Sequence, residues 1–531
     1  MAGKTLRSSL KLGTRKSLLA WAQSGWVARE IEKANPGTKV ELVGIETRGD
    51  KILDISLQNL ANISGGKEFF VAEIDDALRS GAVDLTVHSM KDLSLDRPAA
   101  FILAANPPRE NPRDVALFSP RILEKIRSGE KVRIGTSSPR RLENIPGFMS
   151  KALPQLAQGG VKLEFVEIRG NVNTRLGRVH EAAGSPKQLD AVILAFAGLI
   201  RLWKDDKGRE ELTKLLQGVR WMVLPLRECP AAPAQGALAI ECRRDDREVF
   251  DQIQKIHSKT TADHVSLERN LLAEWGGGCH QKFGATAIST SALQKLFYVR
   301  GVKPDGEFIE DFQWQAPAAP KGAIHAWDGN HWRTQKEKEE TNSPSGTALS
   351  IHAPAVFVAH SRATKVANLN SARVWTSGTG SWLRLAEQGV WVEGCAEGLG
   401  FDALKSTLEE GVLQLPAFKT WNILTHSEAT AEWKTELPLE NVIAAYHVTT
   451  TYPADAKTSL KQATDVFWSS GSQFNTLKIE LSSEQLGSIR HACGPGKTSQ
   501  LLAKELERVG KKPLIFPTVE EWKKWITPIR N

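Results

Sequence analysis

The sequence predicts an α/β protein of several domains built on mainly parallel sheets, and three observations lead there. At 531 residues the chain is too long for one core, so roughly three to five domains are expected. Short apolar runs of strand type alternate with amphipathic helical stretches almost from end to end. Several of the strands end in glycine or hydroxyl residues followed by arginine or lysine, at the carboxyl edge where open α/β sheets gather ligands.

Leu10-Lys11-Leu12-Gly13-Thr14-Arg15-Lys16-Ser17 reads as a strand turning into a helix near Ser17, with Leu18, Trp21, Ala22 and Val27 as its apolar face. Arg15 stands at that turn, where free backbone N–H groups already favour an anion. Val40 to Ile45 is a second strand, followed by Thr47-Arg48-Gly49-Asp50. The glycine loop Ser64-Gly65-Gly66-Lys67-Glu68-Phe69-Phe70 lacks the first glycine and the hydroxyl residue of a Walker A loop. Glu73 to Ser80 forms an amphipathic helix that Gly81 stops with a left-handed residue. Leu85-Thr86-Val87 is then a short buried strand, with Lys91 and Asp92 standing where it ends. An exposed Lys–Asp pair is by itself worth little; its weight comes from the company it keeps.

Val132-Arg133-Ile134-Gly135-Thr136-Ser137-Ser138-Pro139-Arg140-Arg141 repeats the design, a strand passing through hydroxyl residues into two arginines and a helix. Leu163 to Ile168 leads to Arg169-Gly170-Asn171-Val172-Asn173-Thr174-Arg175, Ala191 to Ala195 is a buried strand, and Ala234 to Glu241 reads as one more. Thr261 to Trp275 is a helix that runs into Gly276-Gly277-Gly278-Cys279-His280. A free cysteine is commonly a small buried hydrophobe; behind three glycines it is presented for covalent chemistry.

A net charge of +8 points to an acidic partner. The basic residues come in ones and twos beside Gly, Ser and Thr, which suits small anions better than nucleic acid. Five cysteines without C-x-x-C spacing argue against a disulfide framework and a metal site, and favour a reducing compartment. Lys4, Arg7, Lys11, Arg15 and Lys16 come with no apolar run, so no signal peptide is expected. Ala191 to Ile200 is too short to span a bilayer. A cytoplasmic, monomeric protein that binds neither membrane nor nucleic acid is expected.

Taken in order, Val87-His88-Ser89-Met90-Lys91-Asp92, Gly135-Thr136-Ser137-Ser138 with Arg140-Arg141, Arg169-Gly170-Asn171-Val172 with Thr174-Arg175, Gln235-Gly236-Ala237 and Gly277-Gly278-Cys279 closely resemble porphobilinogen deaminase (hydroxymethylbilane synthase). The resemblance covers roughly residues 5 to 310. It implies an enzyme that joins four porphobilinogen units head to tail, releasing ammonia from each, on a dipyrromethane cofactor held by a thioether to Cys279. It implies Asp92 as the catalytic carboxylate with Lys91 beside it, and Arg140, Arg141, Ser138 and Lys91 as cofactor-binding residues. Arg15, Ser17, Lys67, Arg169 and Arg175 would bind substrate carboxylates, and Phe70 would pack on a pyrrole ring. Arginine suits that task because its fork takes a carboxylate bidentately.

The family fold implies two hinged doubly wound domains, 1–104 with 237–255 and 105–236, and a small α+β cofactor-bearing domain at 256–335. The sequence departs from the family pattern at Asn62 and Ser64, at Pro139 and at Trp275-Gly276. A polar linker is expected over 336–354, and a C-terminal α/β unit over 355–531. In that unit Val374 to Gly378, Phe467 to Gly471 and Ala492 to Gly496 are three strand-to-helix turns able to offer N–H groups to an anion. Gly496-Lys497-Thr498 is no P-loop, because His491 stands where the first glycine is required. With Ile423-Leu424-Thr425 and Ala445-Tyr446-His447-Val448-Thr449, these turns resemble uroporphyrinogen-III synthase, with the opening of its first half shortened. Tyr446, Ser469 and Thr498 are the cleft candidates. A C-terminal half that only binds is the alternative. A periplasmic-type anion binder would have no use for Cys279 on its glycine loop. A nucleic-acid binder would show a basic stripe or a stacking module, and neither is visible.

Overall fold

The computed structural model describes residues 7–47, 71–277, 281–339, 349–351, 353–369, 372–433 and 436–527. The chain forms two compact units, one of Met1–Ser150, Leu156–Ala287 and Phe297–Phe312, the other of Lys151–Gln155, Ile288–Leu296 and Gln313–Asn531.

In the first unit β1 (Ser9–Arg15), β2 (Lys39–Ile45), β3 (Leu85–Ser89) and β4 (Phe101–Ala105) share a sheet with β10 (Leu238–Arg243), in the order β2-β1-β3-β10-β4. Helix α1 (Leu18–Ala34) begins where expected: the Ser17 hydroxyl accepts the Ala20 N–H, and Ala22, Val27, Ala28 and Ile31 form the buried face. Helix α2 (Ala72–Arg79) precedes β3 and stops before Gly81, whose φ of +76° is the left-handed stop read from the sequence.

A second sheet, in the order β7-β6-β8-β5-β9, holds β5 (Asp114–Phe118), β6 (Val132–Gly135), β7 (Leu163–Val166), β8 (Ala191–Ala195) and β9 (Arg220–Val223). Helix α3 (Pro139–Ala152) follows β6, and α4 (Val172–Gly177) follows β7. Helix α5 (Lys259–Glu274) leads to a three-stranded sheet of β11 (Lys282–Ile288), β12 (Leu296–Val302) and β13 (Phe308–Gln313).

In place of the mainly parallel sheets expected, both five-stranded sheets are mixed, with β1–β2, β1–β3, β6–β7 and β6–β8 parallel. β10 runs antiparallel to β3 and β4, and β5 runs antiparallel to β8 and β9. β10 also starts at Leu238, later than the sequence pattern placed it. Ahead of it, Ala234 at φ +63° and Gly236 at φ +86° make a turn. A Cβ on Gly236 would lie 2.5 Å from the Glu110 carbonyl oxygen, so only glycine fits there.

In the second unit the chain begins with β14 (Ala326–Trp327) and β15 (Thr334–Glu339), then β16 (Leu349–Ser350) and β17 (Ala355–Val358). Next come β18 (Ala367–Asn368), β19 (Arg373–Thr376), β20 (Val392–Cys395), β21 (Asn422–His426) and β22 (Val442–Thr451). It ends with β23 (Asp465–Trp468), β24 (Arg490–Cys493) and β25 (Leu514–Ile515). The sheet orders are β15-β22-β21-β17-β19-β20 and β14-β23-β24-β25.

Two expectations change here. Residues 326–335 do not close the cofactor-bearing domain. β14 pairs with β23, and Trp327 is buried in the core against Trp468 and Tyr452. The start of the expected linker is β15, paired antiparallel with β22 from Thr334 opposite Thr451 to Glu339 opposite Tyr446. Residues 340–348 lie outside the described residues. Trp327, Trp375, Trp382, Trp421, Trp468 and Trp522 are all fully buried, so these tryptophans serve packing.

Beneath β3 the Arg97 guanidinium spans two buried carboxylates, bidentate to Asp75 at 2.7 and 2.9 Å and to Glu241 at 2.7 and 3.0 Å. His88 Nε2 lies 3.1 Å from Thr86 Oγ1 and 3.5 Å from Glu241. Burial, with Arg97 nearby, pushes the imidazole down to about 4, so His88 is neutral at pH 7 and is a hydrogen-bonding partner, not half of an ion pair. The unfolded chain takes up this proton near the ordinary histidine value, and the folded chain resists it to about 4. Between those values the unfolded state holds more protons, and stability falls as pH falls. Urea unfolding at pH 7 and pH 5 should show the wild type losing ~2 kcal/mol more than His88→Gln. An equal loss in both would assign the acid sensitivity to another group.

Candidate active site

Two strand directions build the site. The parallel strands end there: β1 pairs β3 with Gly13 opposite Thr86, so Arg15 shares an edge with Ser89 and the 3-10 turn Met90–Asp92. The antiparallel strands begin there: Leu238 of β10 lies opposite Ser89, and Asp114 of β5 lies opposite Ala195 at the end of β8. Gln235, just ahead of β10, and Asp114 therefore arrive at the same edges as Lys91 and Arg140.

Asp114 is fully buried and takes Arg140 Nη2 at 2.8 Å and Arg141 Nη2 at 2.8 Å. Burial acts to raise its carboxyl, but the two arginines, with Gln235 donating at 2.9 Å, outweigh that and hold it well below the usual carboxylate range. Gln235 also accepts from Lys91 Nζ at 3.2 Å. A continuous polar chain thus runs from Lys91 through Gln235 and Asp114 to Arg140 and Arg141. Arg141 Nη1 donates to the Ile193 carbonyl and Arg140 Nη1 to the Pro230 carbonyl, both at 2.8 Å, while the buried Arg140 Nε has no hydrogen-bond partner among the described residues.

Lys91 feels the same surroundings. Burial lowers its ammonium, Asp92 and Asp114 oppose that, and Arg141 and Arg140 reinforce it. Asp92 itself is exposed. Arg175 is lowered to about 10, first by burial and then by Arg141 and Arg169, with Asp92 opposing; it stays cationic at neutral pH. Its Nε donates to the Gly170 carbonyl at 2.8 Å, and Arg169 pairs with Glu167 at 2.9 Å. The Ser137 hydroxyl bonds the Ile168 carbonyl and accepts the Ile168 N–H at 3.0 Å, tying the turn after β6 to the one after β7. Asn171 caps α4, accepting from the Thr174 N–H. Asp92, Lys91, Arg140, Arg141, Arg169 and Arg175 therefore share one electrostatic neighbourhood in which cations outnumber carboxylates.

Other expected residues have local duties. Ser17 caps α1, and the Ser138 N–H donates to Thr136 Oγ1 at 3.3 Å. Lys67, Phe70 and Cys279 lie outside the described residues. In the second unit Tyr446 is buried in β22, the Ser469 hydroxyl bonds Asn330, and Thr498 sits in the first turn of the helix Lys497–Glu507.

The structure adds residues the sequence did not single out, and gives a role to Gln235, which the sequence marked only as part of a motif. Besides Asp114, α5 contributes two neighbours. Glu268, fully buried, accepts from Arg109 Nη1 and Nη2 and from the backbone N–H groups of Ala234 and Ala287. Arg269 donates to the carbonyls of Met90 (3.1 Å), Leu93 (3.1 Å) and Ser94 (2.8 Å), clamping the turn that carries Lys91 and Asp92. A sequence signal for Glu268 existed: it falls on the helical stripe of Thr261, His264, Val265 and Leu272, where a charge must be buried and paired.

The family model for porphobilinogen deaminase, dipyromethane cofactor binding domain, matches residues 10–251. The porphobilinogen deaminase of Syntrophotalea carbinolica is 38% identical over 318 residues, covering 60% of this chain and 90% of its own. That of Trichlorobacter lovleyi is 40% identical over 294 residues, 55% of this chain and 83% of its own. Porphobilinogen deaminase 1 of Streptomyces coelicolor is 39% identical over 297 residues, 55% and 83% respectively.

Proposed function

The chain belongs to the porphobilinogen deaminase family, and on that premise we propose how its own residues perform the family's reaction. Porphobilinogen is the substrate and dipyrromethane the cofactor. The observation that carries the assignment is the polar chain Lys91–Gln235–Asp114–Arg140/Arg141 beside Asp92. Its cations, with the buried Nε of Arg140 that has no partner among the described residues, fit a polycarboxylate ligand. Arg140, Arg141, Ser138 and Lys91 would hold the cofactor's carboxylates. The cofactor, when bound, supplies the free pyrrole carbon to which the first substrate is joined. Cys279 is its anchor; it lies beyond residues 10–251, so the assignment rests on Gly277-Gly278-Cys279 following α5.

Asp92 carries the chemistry on the incoming porphobilinogen. Loss of ammonia breaks a C–N bond and leaves a cationic methylene-pyrrole. A fixed carboxylate stabilises that cation and then takes the proton shed when the new C–C bond forms. Lys91 sets the local field, Arg269 holds the turn, and Arg15, Ser17, Lys67, Arg169 and Arg175 receive substrate carboxylates, with Phe70 against a ring. The domain division 1–104 with 237–255, and 105–236, is supported by the membership of the two five-stranded sheets.

For the second unit we infer a uroporphyrinogen-III synthase that closes hydroxymethylbilane with its last ring inverted. The observation favouring this over a mere binding module is topological. The chain leaves the four-stranded sheet after β14, builds the six-stranded sheet, and returns at β23, giving a two-lobed α/β unit. β14 and β15 supply the opening that the sequence pattern placed in the preceding domain and the linker. Closure is a task of positioning more than of nucleophilic attack.

Two outcomes are expected. The purified chain should weigh more than its sequence by one dipyrromethane. Cys279→Ala should lose that mass and activity together, whereas Asp92→Asn should keep the mass and turn over at least about 10²-fold more slowly. An active chain of unmodified mass, or Asp92→Asn at the wild-type rate, would refute these roles. The full chain should convert porphobilinogen mainly to uroporphyrinogen III, resolved from type I by chromatography of the oxidised porphyrins. Type I alone would leave the second unit as a binding module.

A further inference from the structure

At the carboxyl end of β21 the chain turns directly from His426 into a 3-10 segment, Ser427–Trp433. β22 runs parallel alongside, with Tyr446 opposite His426. That register brings a second histidine, His447, to the same turn. Glu428 lies between them: its Oε2 is 2.9 Å from His426 Nδ1 and its Oε1 is 2.7 Å from His447 Nδ1. The Ser427 hydroxyl is 2.8 Å from His447 Nδ1. The Tyr446 ring is 5.8 Å from that of His426 and 6.4 Å from that of His360. The side chains of His426, Glu428 and His447 are 24%, 29% and 44% exposed, so the group opens to solvent at the edge where α/β sheets bind ligands.

Burial acts to raise the Glu428 carboxyl, but the His426 hydrogen bond, its own backbone N–H and the charge of His447 outweigh that and lower it. The carboxylate therefore takes the Nδ1–H of each ring. This fixes the tautomer and the orientation of each ring, and leaves each Nε2 as the working atom. One carboxylate orienting two imidazoles is more than is needed to pin a surface turn.

We propose that His426, Glu428 and His447 form the acid–base site of ring closure, with His447 Nε2 as the proton donor to the leaving hydroxyl of hydroxymethylbilane. This rests on the synthase assignment of the second unit. Protonated His447 gives its Nε2 proton to the terminal hydroxyl, the C–O bond breaks and water departs. The electrophilic carbon left behind bonds to the last pyrrole ring. Inversion breaks one carbon–carbon bond to that ring and makes another, consuming no proton. The proton finally shed by the ring carbon returns to the imidazole. One water is released and nothing is oxidised or reduced. His447, the more exposed of the two, is the donor, and His426 holds the other oxygen of Glu428.

The test uses the full chain, turning over porphobilinogen, with the ratio of type III to type I porphyrin read at equal substrate consumed. His447→Asn places an amide donor near the Nδ1 position, so the link to Glu428 is kept while Nε2 is lost. A purely structural histidine would tolerate this change. The proposal expects enzymatic closure to slow by about 10²-fold or more, so that unassisted closure wins and type I dominates. Glu428→Gln, isosteric and uncharged, should move the ratio the same way. If both variants keep the wild-type ratio, the acid–base role is overturned and the synthase assignment stands. If the wild type itself yields only type I, the synthase assignment fails and takes this proposal with it.

Discussion

The buried carboxylate of Asp114 is the interaction on which the first unit's site depends. A carboxylate removed from water is costly unless it is fully paired, and Asp114 is paired by two guanidinium groups and an amide. The arginines are fixed in turn, because each also donates to a backbone carbonyl. Gln235 passes the constraint to Lys91, one residue from Asp92. On the other side Arg269 holds the turn's carbonyls, and Glu268 ties the same helix to the Ala234 turn that presents Gln235. Asp92 stays exposed, while Asp114, Arg140, Arg141, Gln235 and Glu268 behind it are buried.

Much of this was legible in the sequence, and the illegible part has a definite cause. Strand–helix units such as β1–α1 and β6–α3 are local, so their period, caps and basic ends are written in consecutive residues. Asp92, Arg140, Arg141, Arg169 and Arg175 could be read because each follows a strand at its carboxyl end. Asp114, and the link Gln235 makes to it, could not, because Asp114 opens and Gln235 precedes a strand that enters antiparallel, and a strand's direction depends on partners far away in the chain. Glu268 carried a signal, a charge on the buried stripe of its helix, whereas nothing in the pattern of that helix marked Arg269.

The second unit shows the same limit. Thr334-Gln335-Lys336-Glu337-Lys338-Glu339 has the composition of a solvated linker, yet it is an edge strand, the one place in a sheet where charged residues are favoured because they discourage further pairing. This strand and β14 both pair with strands of the second unit.

The most direct test of the account is the intact mass of Asp114→Asn. Asp114 is bonded to Arg140, Arg141 and Gln235, and Asp92 is not among its hydrogen-bond partners. Without the Asp114 charge the two buried arginines are expected to lose their fixed geometry, at a cost of about 3–5 kcal/mol, and with it the hold on the cofactor proposed for them. The predicted result is therefore a purified variant at its bare sequence mass that consumes no porphobilinogen. A variant carrying the full dipyrromethane mass and turning over like the wild type would contradict it.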